Sequence, residues 1–238
     1  MSIVNDTAAW LTDPDHWSGP DGIPHRLVEH LAVSGAAVGI ACLIALPIAF
    51  VLGHTGRGGG AAVNLSNASR AVPTFALLVL LAATPVGFGN RATVVALTVF
   101  AIPPLLTNAY IGVRDVDPEV REAARGMGMT GRQLMRRVEL PLALPLVAAG
   151  IRTVAVQVVA TATLAAYVGG GGLGRLIADG FGRADPAMTA AGGVLVALLA
   201  LVVELTLAFV QRRVTPGPAR RRVRPLAPPE SAVVPPAV

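Results

Sequence analysis

Apolar residues fall in five long runs, Leu31 to Leu52, Ala71 to Ala83, Ala92 to Ile111, Leu142 to Val168 and Ala187 to Val210, divided by polar stretches. A helix rises about 1.5 Å per residue, so about 20 residues cross a hydrocarbon core of about 30 Å. Four of the runs are long enough alone. The run from Ala71 becomes long enough when its helix starts near Ala61. The pattern therefore predicts an all-α, polytopic membrane protein with spans near 28–52, 61–84, 91–112, 142–168 and 187–210. Pro73 is placed to kink the second span or split it into two short helices, and six segments are the alternative count. Repeated apolar runs of about 18 or more residues argue against a soluble core.

The polar stretches set an orientation. Arg114, Arg121, Arg125, Arg132, Arg136 and Arg137 crowd the segment between the third and fourth spans. Arg212, Arg213, Arg220, Arg221, Arg222 and Arg224 follow the fifth. Short arginine-rich loops stay in the cytoplasm, so both regions are expected inside, with two spans between them. The acidic N-terminus, carrying Asp6, Asp13, Asp15 and Asp21, is then outside, and five spans close the topology. His54 and Arg57 agree with an inner first loop; Arg91, beside an outer turn, is the exception. The same acidic start does not resemble the positive opening of a signal peptide. Three regions follow: an extracytoplasmic segment 1–27, a membrane-spanning domain 28–211 containing the loop 113–141, and a basic, then Pro-rich cytoplasmic tail 212–238 expected to be disordered.

Composition narrows the chemistry. Only 14% of the residues are charged, against about 25% in ordinary soluble domains. The pI near 10.9 is accounted for by the inner arginines, and no aromatic-basic interleaving points to nucleic acid. Arginines 220–224 are candidates to touch anionic lipid. All 19 basic residues are arginine; without a lysine there is no P-loop, whose lysine reaches the β- and γ-phosphates. Any ATP-driven step must use a separate ATPase subunit. Cys42 is the single cysteine, inside the first apolar run, and His16, His25, His30 and His54 lack metal-ligand spacing. No cofactor, metal site or catalytic constellation is expected on this chain.

The loop between spans three and four has its own pattern. Asp117 is a candidate helix cap, Pro118 suits a first helical position, and Glu119 and Glu122 suit the positive helix start. Gly126 and Gly128 loosen or end that helix. Thr130 is placed to cap a second helix, Gly131 to Val138, and Pro141 to start the next span. The expectation is two short helices forming an L at the membrane surface. Ala123 and Ala124 are small enough to let another surface approach closely.

Glu122-Ala123-Ala124, Gly128 six residues after the glutamate, Val138 and Leu140-Pro141 match without a gap the pattern E-A-A, three residues, G, nine residues, I/V, one residue, L-P. This resembles the EAA loop of permease subunits in binding-protein-dependent ABC importers. The resemblance implies a MetI-like permease fold and a docking role for Glu122, Ala123, Ala124, Gly128 and Pro141 against a separate ATPase. It also implies a second permease subunit, identical or paralogous, and an extracytoplasmic substrate-binding protein. Ala71 to Leu78, Val116-Asp117-Pro118, Glu139 to Pro145, Ala149 to Thr153 and Gly170 to Gly174 further resemble the osmoprotectant branch, which imports glycine betaine, choline, carnitine or proline. Methionine and other small-solute permeases share the scaffold. A secondary transporter or channel is the alternative class; it would show internal repeats or intramembrane acid relays.

Ionisable or irregular positions within the spans are the candidates for the pathway or its gates. A charge at mid-membrane costs about 2.5–3.5 kcal/mol on insertion scales, so Arg70, Arg152 and Glu204 each need a reason. Arg70 lines the path or snorkels at a kink, and Arg152 and Glu204 are candidates to pair inside the bundle. Pro73 and the pair Pro103-Pro104 should bend their spans. Tyr167 and Gly169 to Gly174, including Gly171, read as a flexible outer turn that serves as a gate or a binding-protein contact.

Overall fold

The computed structural model describes residues 2–215, apart from the side chain of Arg70. The expectations for the tail beyond residue 215, and for what the Arg70 side chain does, lie outside the described residues. Among those residues every regular element is helical: α1 (Ile3–Thr12), a 3-10 turn (Pro14–Trp17), α2 (Ile23–Thr55), α3 (Gly59–Ala71), α4 (Thr74–Ala82), α5 (Asn90–Arg114), α6 (Pro118–Gly126), α7 (Gly131–Leu134), a π turn (Met135–Glu139), α8 (Leu140–Thr161), a second 3-10 stretch (Ala162–Val168), α9 (Gly174–Gly182) and α10 (Pro186–Val214).

The core is built from small residues. Ala37, Ala41, Ala45, Ala49 and Gly53 are buried at four-residue intervals along α2, which puts them on one face of the helix. That face packs along α5, which offers buried Ala101, Leu105, Ala109 and Val113. Small residues let two helix backbones approach closely, the packing favoured where lipid removes the usual hydrophobic drive between helices. At Gly53 the approach is so close that a Cβ would stand 2.7 Å from the Cβ of Val113. Larger apolar side chains such as Leu43, Leu80, Leu198 and Leu205 point outward.

Two ends of the bundle are distinguished by contacts between elements. At one, the glycine end, Glu29 of α2 and Asn90 of α5 meet the loop around Gly171 and Gly172. At the other, the loop end, His54 of α2 meets Glu139 before α8, and Arg121 of α6 meets Val113 of α5. Helices α2 and α5 therefore run parallel, which requires a crossing between them. The chain enters α3 at the loop end, where Thr107 of α5 donates to the Ala62 carbonyl at 3.1 Å. It leaves α4 at the glycine end, where Gly89 donates to the Val168 carbonyl at 2.8 Å. The pair α3 and α4 thus carries the chain across the bundle as a broken fifth span beside four long apolar helices.

The break falls at Pro73. Val72 and Pro73 are extended, and the helices on either side diverge by 83°. A proline pushes the preceding residue out of the α region and removes a donor, so the chain resolves the choice between kink and split in favour of the split.

Several expectations change. The first span begins at Ile23, not near 28, and residues before it fold into α1 and a turn, with α1 packed on α10. The fourth span is α-helical only to Thr161 and continues as 3-10 turns to Val168. Pro103-Pro104 do not interrupt α5, which runs unbroken through them. The expected second loop helix does not end before Pro141. It passes through a π turn, with Leu140 N–H donating to the Met135 carbonyl, and continues into α8. A π turn widens the helix at the point where the Pro141 ring would crowd the carbonyl of Arg137.

Candidate coupling site and pathway

Helix α6 is fixed at both ends by local chemistry. Asp117 Oδ1 accepts from Glu119 N–H at 2.9 Å and Pro118 occupies the first turn. At the far end, Gly128 is left-handed at φ +81°, its N–H donates to the Arg125 carbonyl and the Met129 N–H to that of Ala124. These two bonds form a Schellman stop, which needs a residue that tolerates positive φ. A Cβ on Gly128 would meet nothing within 4 Å, so the requirement is one of backbone conformation, not space. Thr130 and Gln133 then cap α7 reciprocally, Thr130 N–H to Gln133 Oε1 at 2.8 Å and Gln133 N–H to Thr130 Oγ1 at 3.4 Å.

The three residues Glu122, Ala123 and Ala124 do not share one face. Glu122 and Ala123 are exposed, whereas Ala124 is 2% exposed and turned into the chain itself. Val120, Ala123 and Met127, three and four residues apart, make an exposed apolar stripe on the outer side of α6, with Met127 72% exposed. Pro141 lies in the first turn of α8, away from this stripe. The surface available to a partner is thus Val120, Glu122, Ala123 and Met127; Ala124 packs behind it, Gly128 stops its helix, and Pro141 lies outside it.

Beneath α6 lies a cluster that sequence reasoning missed. Glu139 is fully buried, with His54 Nδ1 2.5 Å from one carboxylate oxygen and Arg121 Nε 3.3 Å from the other. Arg121, also buried, donates through Nη2 to the Val113 carbonyl. The available signal was an acid at the mouth of a span amid basic and apolar neighbours, since a carboxylate buried there demands cationic partners.

At the glycine end, the turn 169–174 is held in place, not loose. Gly171 N–H donates to Asn90 Oδ1 at 2.8 Å, and Gly172 N–H to Glu29 Oε2 at 3.0 Å. Glu29 also accepts from Arg26 Nη1 at 2.9 Å. His30, buried beside Gly172, uses Nε2 against the Val159 carbonyl at 2.9 Å. Tyr167 is half exposed and meets Phe75 of α4 edge to face, with ring centroids 6.1 Å apart. An open cleft of about 580 Å³ lies near this end, lined by Asp21, Arg26, Arg175, Asp179, Arg183 and Asp185 among others.

The remaining pathway candidates are scattered. Arg152 Nε stands 3.3 Å from Glu204 Oε1, joining α8 to α10, but both side chains are about one-third exposed, so the pair sits on the flank of this chain's bundle and not within it. Pro103 is buried in the core, and the Pro104 carbonyl accepts from Asn108 Nδ2 at 2.9 Å. Pro73 marks the break between α3 and α4. Among the described residues, the cleft near the glycine end is lined by none of these candidates.

Comparison with known proteins places this arrangement. A chain of the MetNI methionine ABC transporter in its inward-facing state superposes with a TM-score of 0.69 at 25% identity, covering 79% of this chain and 94% of that one. The glycine betaine/carnitine/choline transport system permease protein OpuCB of Bacillus subtilis (strain 168) is 37% identical over 192 residues, 81% of this chain and 88% of that protein. The choline transport system permease protein OpuBB of the same organism is 36% identical over 197 residues, 83% of this chain and 90% of that protein. Residues 40–216, from the middle of α2 to beyond α10, match the family described as the inner membrane component of binding-protein-dependent transport systems. The chain belongs to that family of transport permeases.

Proposed function

We propose that this chain is the permease subunit of an ATP-driven importer for a small osmoprotectant such as glycine betaine, choline, carnitine or proline. The observation that carries the solute class is the set of permeases 36–38% identical over four-fifths of the chain that are named for glycine betaine, carnitine and choline. The loop end faces the cytoplasm, because the arginines of the 113–141 loop and of the end of α10 gather there. The exposed stripe of α6 docks into a separate ATPase, which binds and hydrolyses the ATP. A second permease, a copy of this chain or a paralogue, completes the solute path, and the exposed apolar flanks and the Arg152–Glu204 pair face it or the lipid. The glycine end faces the extracytoplasmic binding protein, with the cleft beside Arg26 and Asp179 as contact surface. Opening at the glycine turn and at the α3–α4 break would give alternating access.

The deciding experiment reconstitutes the chain with its ATPase and binding protein in vesicles and measures uptake of labelled glycine betaine, choline, carnitine, proline and methionine, with and without ATP. Saturable, ATP-dependent uptake of at least one of the first four is expected. Uptake at full rate without the ATPase would place the chain among secondary transporters. Uptake of methionine alone would move it to another small-solute branch.

A further inference from the structure

Glu139 is the most deeply buried acid among the described residues, at 0% exposure. It lies in the position between Val138 and Leu140 that the E-A-A pattern leaves free. The π turn Met135–Glu139 is what presents it, since the wide turn shifts the register of side chains at the root of α8. Around its carboxylate stand His54, one residue from the end of α2, and Arg121, in the middle of α6. Arg121 in turn holds the last turn of α5 through the Val113 carbonyl. Glu139 thus joins α2, α6 and the root of α8 directly, and α5 through Arg121.

The linkage is tight on one side and looser on the other. His54 Nδ1 makes a short hydrogen bond to Glu139 Oε2 at 2.5 Å. Arg121 Nε faces Oε1 at 3.3 Å without hydrogen-bond geometry, so that contact is held by charge. A buried carboxylate cannot part from its cations without being left uncompensated in a medium of low dielectric, which makes such a cluster move together or not at all. The loop needs this constraint. Apart from the cluster, α6 is held by the buried Ala124 and by the connection Met127 to Thr130, which turns on a left-handed glycine. A push on α6 could be absorbed there.

We propose that Glu139 is a positioning residue for energy coupling. Its carboxylate binds α6, the foot of α2 and the root of α8 into one body, so that displacement of α6 by the ATPase reaches two spans instead of being absorbed in the loop. The inference rests on the transport reading above and adds the load path to it.

The test uses the complete complex, permease with ATPase and binding protein, in proteoliposomes. Assembly, melting temperature, ATP hydrolysis and uptake of labelled solute are measured for the wild type and for Glu139→Gln, His54→Gln and Arg132→Gln. The quantity read is solute moved per ATP hydrolysed. Glu139→Gln and His54→Gln are expected to lower it roughly tenfold, the scale of an ordinary coupling between two sites. Arg132→Gln, which removes an exposed arginine from α7, is expected to leave it unchanged. If Glu139→Gln does not assemble, His54→Gln decides by the same ratio, because the Arg121 contact remains. An assembled variant whose melting temperature falls while its ratio holds overturns the proposal and makes the cluster a structural staple. The labelled solute is whichever of glycine betaine, choline, carnitine and proline the wild type takes up; a wild type with ATP-dependent uptake of none of them overturns the transport reading itself, and the two failures are thereby told apart.

Discussion

Gly53 shows how narrow the tolerance is at single positions. Two effects of adding a side chain there oppose each other. Replacing a helical glycine by alanine gains about 1 kcal/mol of backbone propensity, whereas overpacking a filled core costs about 1–3 kcal/mol. The nearest atoms are the Cβ and Cγ1 of Val113, at 2.7 and 2.9 Å; the Cβ is fixed to the backbone, and only the Cγ1 is removed by Val113→Ala. Overpacking should therefore win. Gly53→Val is expected to lower the melting temperature of the purified permease, and Val113→Ala in the same chain to recover part of the loss. Strict additivity of the two changes would mean the helices do not meet there as described. Such residue-scale demands were only partly legible in the sequence. Asp117, Pro118 and Thr130 could be read as caps because a cap is a local arrangement, closed within three residues. Gly53 could not, because its reason lies on α5, and neither could Glu139, whose histidine partner is 85 residues away.

Among elements, α6 carries the clearest functional expectation. Its exposed stripe of Val120, Ala123 and Met127 is apolar, sits on a helix capped at both ends, and turns away from its own chain. A carboxylate placed at its centre meets a desolvated partner surface, and central positions of interfaces are where single changes cost about 2 kcal/mol or more. Ala123→Asp is expected to weaken association with the ATPase by at least about tenfold, equivalent to about 1.4 kcal/mol, with the melting temperature of the isolated permease unchanged. A titration of detergent-solubilised permease with ATPase measures this; unaltered affinity would place the docking surface elsewhere. The sequence yielded α6 nearly whole, since its caps and its glycine stop are contiguous. It did not yield α1 or α9, which are short helices outside the long apolar runs, recognisable only once α10 is there to receive them. It also read α7 as a free helix. Proline usually starts a new element, and nothing in a single sequence announces that a π turn will let the helix pass through Pro141.

For the whole molecule, the contacts at the two ends fix how often the chain crosses but not which way it faces. Starting from Glu29 at the glycine end, the chain reaches His54 at the loop end, returns through α3 and α4 to Asn90, and descends α5 to Arg114. It rises again in α8 and descends in α10, whose Gln211 reaches the Pro145 carbonyl near the loop end at 3.3 Å. Five crossings put the two termini of the membrane domain on opposite sides. Charge then chooses between the two orientations. The loop end holds Arg114, Arg125, Arg132, Arg136 and Arg137, with Arg212 and Arg213 at the end of α10, and Arg213 stands 4.8 Å from the Phe209 ring centroid, an aromatic-cation pairing suited to a bilayer interface. The glycine end holds four arginines, Arg26, Arg91, Arg175 and Arg183, among the acids Asp13, Asp15, Asp21, Glu29, Asp179 and Asp185, so it carries fewer arginines than the loop end. The arginine excess should hold the loop end inside. Cys42 is the only native thiol, so Cys42→Ala gives a background in which single cysteines report their side. In intact cells with the outer barrier removed, a membrane-impermeant maleimide is expected to label Ser2→Cys and Arg183→Cys directly, and Thr130→Cys and Arg136→Cys only after the membrane is opened. Labelling of Ser2→Cys and Thr130→Cys from the same side would require an even number of crossings and would make the α3–α4 pair a re-entrant hairpin. Labelling of Thr130→Cys alone from outside would invert the whole molecule and leave α6 with no cytoplasmic motor to meet.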